Sequence, residues 1–306
     1  MEIRTAAIVG AGAVGAYFIR GMQPAMGENF MVLAEGARAE RLAAQGLTVN
    51  GENIPLNVKD FATAPQVDLL IISTKYTALS EVFQKVKPMV GPGTIVLTVL
   101  NGIDSEQLAA DALGAEHIVY SYMVIVSARK GDTIVIDPAC PARINFGELS
   151  GKETERTDAL CRLFDACGIS YHLSDRIVND QWNKFAINIS NNLLQAVLGV
   201  GYGAYFDSQH IGHLHRKIMD EVLQAAAAEG MEITSIPTPQ DIAAPGARFS
   251  TLQDIDAGRL TETDMFLGVL LKIAERHGLQ LPYCDYTYHA LKALEEKNAG
   301  LFDYNH

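Results

Sequence analysis

The stretch Gly10-Ala11-Gly12-Ala13-Val14-Gly15 constrains this chain more than any other. It follows Arg4 to Val9, a run of small and branched apolar residues that reads as a strand buried on both faces, and it leads into a helical stretch from Ala16 to about Met22. A glycine fingerprint between strand and helix is the turn of a dinucleotide-binding unit. Gly10 permits the tight turn, Gly12 lets a pyrophosphate approach the backbone, and Gly15 lets helix and strand pack closely. The helix N-terminus then offers oriented N–H donors to phosphate. These six residues are the first candidate cofactor contacts.

Asn29 to Ala34 reads as the second strand, and the fingerprint expects an acid near its end to hold a ribose 2′-OH. Glu35 stands there, which favours NAD. Arg38 and Arg41 follow closely and suit the 2′-phosphate of NADP, so both cofactors stay open. Asn50-Gly51 reads as a two-residue hairpin turn. Val67 to Ser73 and Thr94 to Val99 read as further parallel strands, with Lys75 and Asn101 just beyond them. Ligands of open α/β sheets sit outside the carboxyl ends of the strands, which makes Lys75 and Asn101 cofactor-side candidates.

Past this point the texture changes twice. His117 to Val126, Thr133 to Ile136 and Ala142 to Phe146 read as strands joined by short loops, an antiparallel extension of the sheet. A helix from Thr154 to Ala166 and a strand from Gly168 close this part. After Ser174 the strand signal stops, and helices are expected over 175–198, 208–229, 250–258, 261–277 and 283–297. The expected fold class is therefore α/β: an N-terminal Rossmann-type doubly wound sheet with an antiparallel extension, residues 1–172, and an all-helical C-terminal domain, residues 173–306. A chain of 306 residues suits two cores.

With 24 Lys+Arg against 36 Asp+Glu, the formal charge of -12 opposes binding to nucleic acid or an anionic membrane. No run approaches the ~18 apolar residues of a membrane span. The N-terminus lacks the flanks of a signal peptide, and Cys140, Cys161, Cys167 and Cys284 form no CxxC pair, so cytoplasmic localisation is expected. His210, His213 and His215 lack the carboxylate and the common face of a metal site, and no metal is expected.

In the helical half, Gln181 to Gln195 is written in asparagine where a solvated face is normally written in Glu, Lys and Arg. Asparagine costs a helix up to about 0.7 kcal/mol per site. At about 100° per residue, Lys184, Asn188, Asn192, Gln195 and Gln181 fall within an arc of roughly 80°. Amides beside one ammonium suit a small ligand with carboxylate, carbonyl and hydroxyl oxygens. Further on, Thr261 reads as an N-cap that places Glu262 in a first helical turn, where the dipole favours its ionised form. Pro237, Pro239 and Pro245 mark a loop expected to cover a cleft.

Taken together, these pieces resemble the ketopantoate reductase (2-dehydropantoate 2-reductase) family from end to end. The resemblance rests on the glycine fingerprint, Lys75, Asn101-Gly102 and Trp182-x-Lys184-x-x-x-Asn188-x-x-x-Asn192. It rests most specifically on Ser250-x-Leu-Gln-Asp-x-x-x-Gly-Arg-x-Thr-Glu262 with His277-Gly-Leu-x-Leu-Pro282. It implies NADPH-dependent reduction of 2-dehydropantoate to pantoate on the way to pantothenate and coenzyme A. By position it implies Lys184 as general acid, Glu262 as its partner, Asn188, Asn192 and Ser250 as substrate contacts, and Lys75 and Asn101 on the nicotinamide side. Glu35 stands where the family commonly has arginine, so NAD(H) stays open beside NADP(H). Gly201-Tyr-Gly203 stands where the family can use a further asparagine, so the 2-keto acid stays open.

A reductase of another short 2-keto acid and a non-catalytic nucleotide-binding sensor are the competing readings. The presence of both Lys184 and Glu262 argues against the sensor. The expected partner is a small 2-keto acid, and the apolar helical half would accommodate a homodimer.

Overall fold

The structure, a computed structural model, describes residues 1–130, 133–140, 142–233 and 245–302. Pro237 and Pro239, and with them most of the expected covering loop, lie outside the described residues. The chain divides into two compact units, Met1–Val178 and Asn179–His306.

Unit 1 begins with β1 (Ala6–Val9), buried along its whole length as an apolar strand covered on both faces must be. Helix α1 (Ala13–Met26) follows, then β2 (Phe30–Leu33), α2 (Gly36–Gln45) and the hairpin β3 (Leu47–Val49) and β4 (Glu52–Ile54). Asn50 and Gly51, at φ 50° and 84°, make the hairpin turn, which needs both central residues in the left-handed region. Next come β5 (Val58–Lys59), β6 (Val67–Ile72), α3 (Leu79–Val86), β7 (Val90–Thr98) and α4 (Ser105–Leu113).

The main sheet has the order β5-β2-β1-β6-β7, every pair parallel. The order reverses at β1, so a topological switch point lies between β1 and β6. The remaining strands are β8 (Tyr120–Val124), β9 (Ser127–Lys130), β10 (Thr133–Ile136), β11 (Arg143–Gly147) and β12 (Tyr171–Leu173). With the β3–β4 hairpin they form two further sheets, β4-β3-β10-β9 and β12-β11-β8, in which β9 with β10 and β8 with β11 pair antiparallel while β10 with β3 and β11 with β12 pair parallel. A bridge between Val96 and Ile118 joins this region to β7. Helix α5 (Glu155–Ala166) is capped by Thr154, whose hydroxyl accepts from the Thr157 N–H. It contributes Phe164 to a buried ring cluster with Phe18 and Phe146, centroids 6.4 and 5.6 Å away. Burying a phenylalanine contributes about 1.5–3 kcal/mol.

The helical part runs α6 (Ile177–Ile187), a π-helical turn (Asn188–Leu193), α7 (Leu194–Leu198), α8 (Ala204–Asp207), α9 (Gln209–Ala228) and α10 (Ser250–Asp256). A second π turn (Asp264–Gly268), α11 (Val269–His277) and α12 (Pro282–Asn298) complete it. Ser208 caps α9 by accepting from the Ile211 N–H. Buried Glu221 accepts from the N–H groups of Tyr283 and Cys284, at 3.0 and 2.8 Å, satisfying donors that the start of α12 leaves open. Trp182, Phe185 and Phe266 form the aromatic centre of unit 2, with Phe185 5.5 Å from Trp182 and 5.9 Å from Phe266.

Candidate active site

In unit 1, strands β2, β1, β6 and β7 lie side by side and release Glu35, Gly10, Lys75 and Asn101 just beyond their carboxyl ends. The three fingerprint glycines differ in what surrounds them. Gly10 has φ 101°, and a Cβ there would lie 2.5 Å from the Ser73 carbonyl oxygen. A Cβ on Gly15 would lie 1.9 Å from the Gly10 carbonyl oxygen. On Gly12 a Cβ would meet nothing within 4 Å. Two glycines therefore let chain segments touch, while the third leaves open space at the N-terminus of α1. The Ser73 hydroxyl pins the turn by donating to the carbonyls of Gly10 at 2.7 Å and Val9 at 3.2 Å. Beside it, Thr74 Oγ1 is buried and accepts or donates no hydrogen bond among the described residues. An open cradle at a helix N-terminus and a buried hydroxyl at the neighbouring strand end fit a dinucleotide phosphate.

Glu35 accepts a hydrogen bond from the ammonium of Lys85, on α3. Lys85 also pairs with Glu81 at 2.6 Å and lies over the Phe61 ring, 5.6 Å from its centroid. Arg38 and Arg41 line a small pocket together with Ala11 and Leu47.

In unit 2, Lys184 is part-buried in the last turn of α6. Burial pushes its pKa down to about 8, against the opposing pull of the Glu262 carboxylate. Asn188 and Asn192 are part-buried on the following π turn, where the Asn192 side-chain N–H donates to Asn188 Oδ1 at 3.3 Å. Glu262 stands two residues before the second π turn, and its carbonyl accepts from the N–H groups of Met265 and Phe266. Both candidate catalytic residues thus adjoin wide turns, and the two π segments pack against each other. Such single π turns recur at functional sites.

The π turn changes the expected polar arc. Lys184, Asn188 and Asn192 remain part-exposed, but Gln181 and Gln195 are buried, at 3% and 0% exposure. Bonds from i to i+5 place more residues in a turn than 100° winding does, so Gln195, beyond the π turn, rotates away from the arc, while Gln181 precedes that turn and is buried on α6. Gln195 instead donates to the Ala247 carbonyl at 2.9 Å and accepts from the Phe249 N–H at 2.7 Å. Those bonds hold the backbone that enters α10, whose first residue is the exposed Ser250.

Thr261 makes the side-chain bond expected of a cap, but the helix begins only at Thr263. Its hydroxyl accepts from the Thr263 N–H at 3.2 Å and donates to buried Glu295 at 2.6 Å. Glu262 consequently lies ahead of the first helical turn. Gly201 and Gly203 are needed for close approach rather than ligand contact: a Cβ on Gly201 would lie 2.7 Å from the Pro245 carbonyl oxygen. Sequence reasoning missed Lys85 as the partner of Glu35 and Glu295 as the anchor of the Thr261 turn. Lys85 carries the local signal of an i,i+4 acid at Glu81, but nothing local points to Glu35.

Comparison with known proteins settles the family. The sequence model of ketopantoate reductase PanE/ApbA matches residues 6–151, and that of its C-terminal region matches residues 176–295. The chain belongs to the ketopantoate reductase PanE/ApbA family. It is thus an NAD(P)-dependent oxidoreductase of that family, as the resemblance implied. A 2-dehydropantoate 2-reductase of Pyrococcus horikoshii is 26% identical over 308 residues, covering 96% of this chain and 98% of that protein. An uncharacterised oxidoreductase of Bacillus subtilis is 26% identical over 298 residues, covering 94% and 98%. Among solved structures, D-mandelate dehydrogenase with NADH and anilino(oxo)acetate superposes with a TM-score of 0.85 at 24% identity, covering 96% of this chain and 99% of that one. That likeness is one of fold, and it bears out the α/β class with a Rossmann-type N-terminal region and a helical C-terminal region. Among the described residues no helix is long and apolar enough to cross a membrane.

Proposed function

We propose that this chain reduces the keto group of a short 2-keto acid, 2-dehydropantoate in the first instance, using NADPH, with Lys184 as general acid. The observation that carries the reading is the Lys184 ammonium, pushed by burial to a pKa of about 8 with Glu262 as its carboxylate partner and Asn188 and Asn192 on the next turn. A general acid works best with a pKa near the operating pH.

The residues fit the cofactor. Gly10 to Gly15 would hold its pyrophosphate at the start of α1, and Lys75 and Asn101 would stand on the nicotinamide side. Arg38 and Arg41, lining the pocket beside Ala11, would take the 2′-phosphate. The bound nicotinamide supplies hydride to the keto carbon. Lys184 donates a hydrogen bond to the keto oxygen, stabilises the negative charge that grows there and transfers its proton to it. Glu262 keeps the lysine charged and accepts from the new hydroxyl. Asn188, Asn192 and Ser250 orient the remaining oxygens through their donors and acceptors.

The reading is tested by following oxidation of NADPH and NADH with purified protein and a panel of 2-keto acids from pH 6 to pH 10. Because Lys184 must carry its proton, reduction should fall as pH rises through about 8. Turnover with 2-dehydropantoate that is indifferent to pH in that range would remove Lys184 from the acid's role. A second reading, reduction of a different short or aromatic 2-keto acid, is favoured by one observation. The Gly201–Gly203 segment presents no amide, and Tyr202 packs on Phe249 at 5.0 Å, beside Ser250. The related fold of D-mandelate dehydrogenase is compatible with it. A dimer, the state named for a ketopantoate reductase of Staphylococcus aureus with this fold, is proposed for the assembly.

A further inference from the structure

The acid at the end of β2 poses a conflict. Glu35 stands where a carboxylate holds a ribose 2′-OH and repels a 2′-phosphate, yet two arginines line the adjacent pocket. A basic group meets this acid. Lys85 projects from α3 to Glu35, fifty positions earlier in sequence, and donates to its carboxylate. The same ammonium pairs with Glu81, one helical turn back, at 2.6 Å. The Phe61 ring lies beneath it, 5.6 Å from centroid to nitrogen. The lysine is thus held from three sides, and its side chain is 29% exposed. Hydrogen bonds from Glu35 first and Glu81 second hold its pKa above the ordinary lysine value, so it stays charged wherever the protein is folded near neutrality.

We infer that Lys85 is a specificity-determining residue that selects the phosphorylated cofactor indirectly, by occupying Glu35 and offsetting part of its charge so that Arg38 and Arg41 weigh more in the field at the 2′ position. The inference rests on the reading of unit 1 as the nucleotide site. A carboxylate bonded to an ammonium keeps its own charge, but the ammonium, shared here with Glu81, offsets part of its field and takes up an acceptor lone pair that a ribose hydroxyl would use. Remove the ammonium and both return, in favour of NADH and against NADPH. Glu81 does not substitute for Glu35, because it lies on α3 and not at the end of β2. Lys85 therefore acts through Glu35 and needs no contact with the nucleotide.

The experiment measures dissociation constants of NADPH and NADH by quenching of protein fluorescence, so that no turnover is needed. It compares the parent chain with Lys85→Met, Glu35→Gln and the double variant. Lys85→Met keeps the length of the stem on a partly exposed helix face, and circular dichroism checks that each variant is folded. Lys85→Met should lower the preference for NADPH over NADH by about tenfold, the size of one charge-assisted hydrogen bond. Glu35→Gln in the Lys85→Met background should restore the parent preference, while Glu35→Gln alone should change it little. A preference unchanged by Lys85→Met, or one that the double variant does not restore, overturns the inference while leaving the nucleotide site standing. Failure of the parent chain to bind either nucleotide would overturn both, and is distinguished because no ratio is then measurable.

Discussion

Replacing Lys184 by methionine should abolish reduction and, at the same time, stabilise the fold. The ordinary lysine pKa of 10.5 falls to about 8 in the folded chain, so folding holds the ammonium at a cost. At about 1.4 kcal/mol per pH unit, that cost is about 3 kcal/mol. The attraction of Glu262 is already inside this net figure and is not subtracted again. The sign follows from the folded pKa lying below the unfolded one. Below pH about 8 both states are protonated and the cost is full; between about 8 and 10.5 the folded state sheds its proton first and the cost fades. Methionine fills a similar volume and carries no charge. The variant should therefore exceed the parent by up to about 3 kcal/mol near pH 7, by about 2 kcal/mol near pH 9, and by almost nothing near pH 11. Urea denaturation of both proteins at each pH, read as a difference, measures this. A variant that is less stable at pH 7, or a gain that does not shrink with pH, would refute the reasoning that burial of a charged lysine sets its pKa.

Glu262→Gln removes the pull that raises the Lys184 pKa, so the pH above which reduction falls should move below about 8; an unmoved midpoint would detach Glu262 from Lys184. Gln195→Met leaves the Ala247 carbonyl and the Phe249 N–H without their partner. It should cost about 1–3 kcal/mol in urea unfolding and raise KM for the keto acid, with NADPH affinity unaltered. Gly15→Ala forces a Cβ to within 1.9 Å of the Gly10 oxygen and should yield a destabilised chain, whereas Gly12→Ala meets open space and should fold normally but bind nucleotide poorly. Equal thermal stability of the two variants would contradict that division of roles. Glu295→Ala unties the Thr261 turn ahead of Glu262 and should shift the pH profile in the same direction as Glu262→Gln; loss of stability with an unshifted profile would leave Glu295 a purely structural role.

Much of the fold was legible because its signals are local. Apolar runs of strand length, a glycine fingerprint between strand and helix and an Asn-Gly turn all act within a few residues of themselves. The order of the parallel strands, with β1 between β2 and β6, follows once a dinucleotide-binding unit is recognised. The expected helix after the fingerprint was too short at both ends, since α1 starts at Ala13 and runs through Pro24 to Met26. Helix ends are decided by caps and packing that periodicity does not register.

The candidate site divides along the same line. Asn188 and Asn192 stood out on a helix whose solvated face would normally be written in Glu, Lys and Arg, Lys184 was drawn in by sharing their arc, and Glu262 was marked by the family resemblance. Their winding was not, because a π turn is a difference of one residue in the hydrogen-bond ladder and leaves no mark in composition. Only tertiary structure sent Gln195 inward to tie down the backbone before Ser250, joined Lys85 to Glu35 across fifty positions, and set Glu295 beneath Thr261. The sequence by itself determined which chemical groups this chain can bring to a site, since short-range sterics and hydrogen bonding act wherever those residues occur. Tertiary structure decided which charges those groups keep, because pKa and pairing depend on burial and on neighbours brought close only by the completed fold.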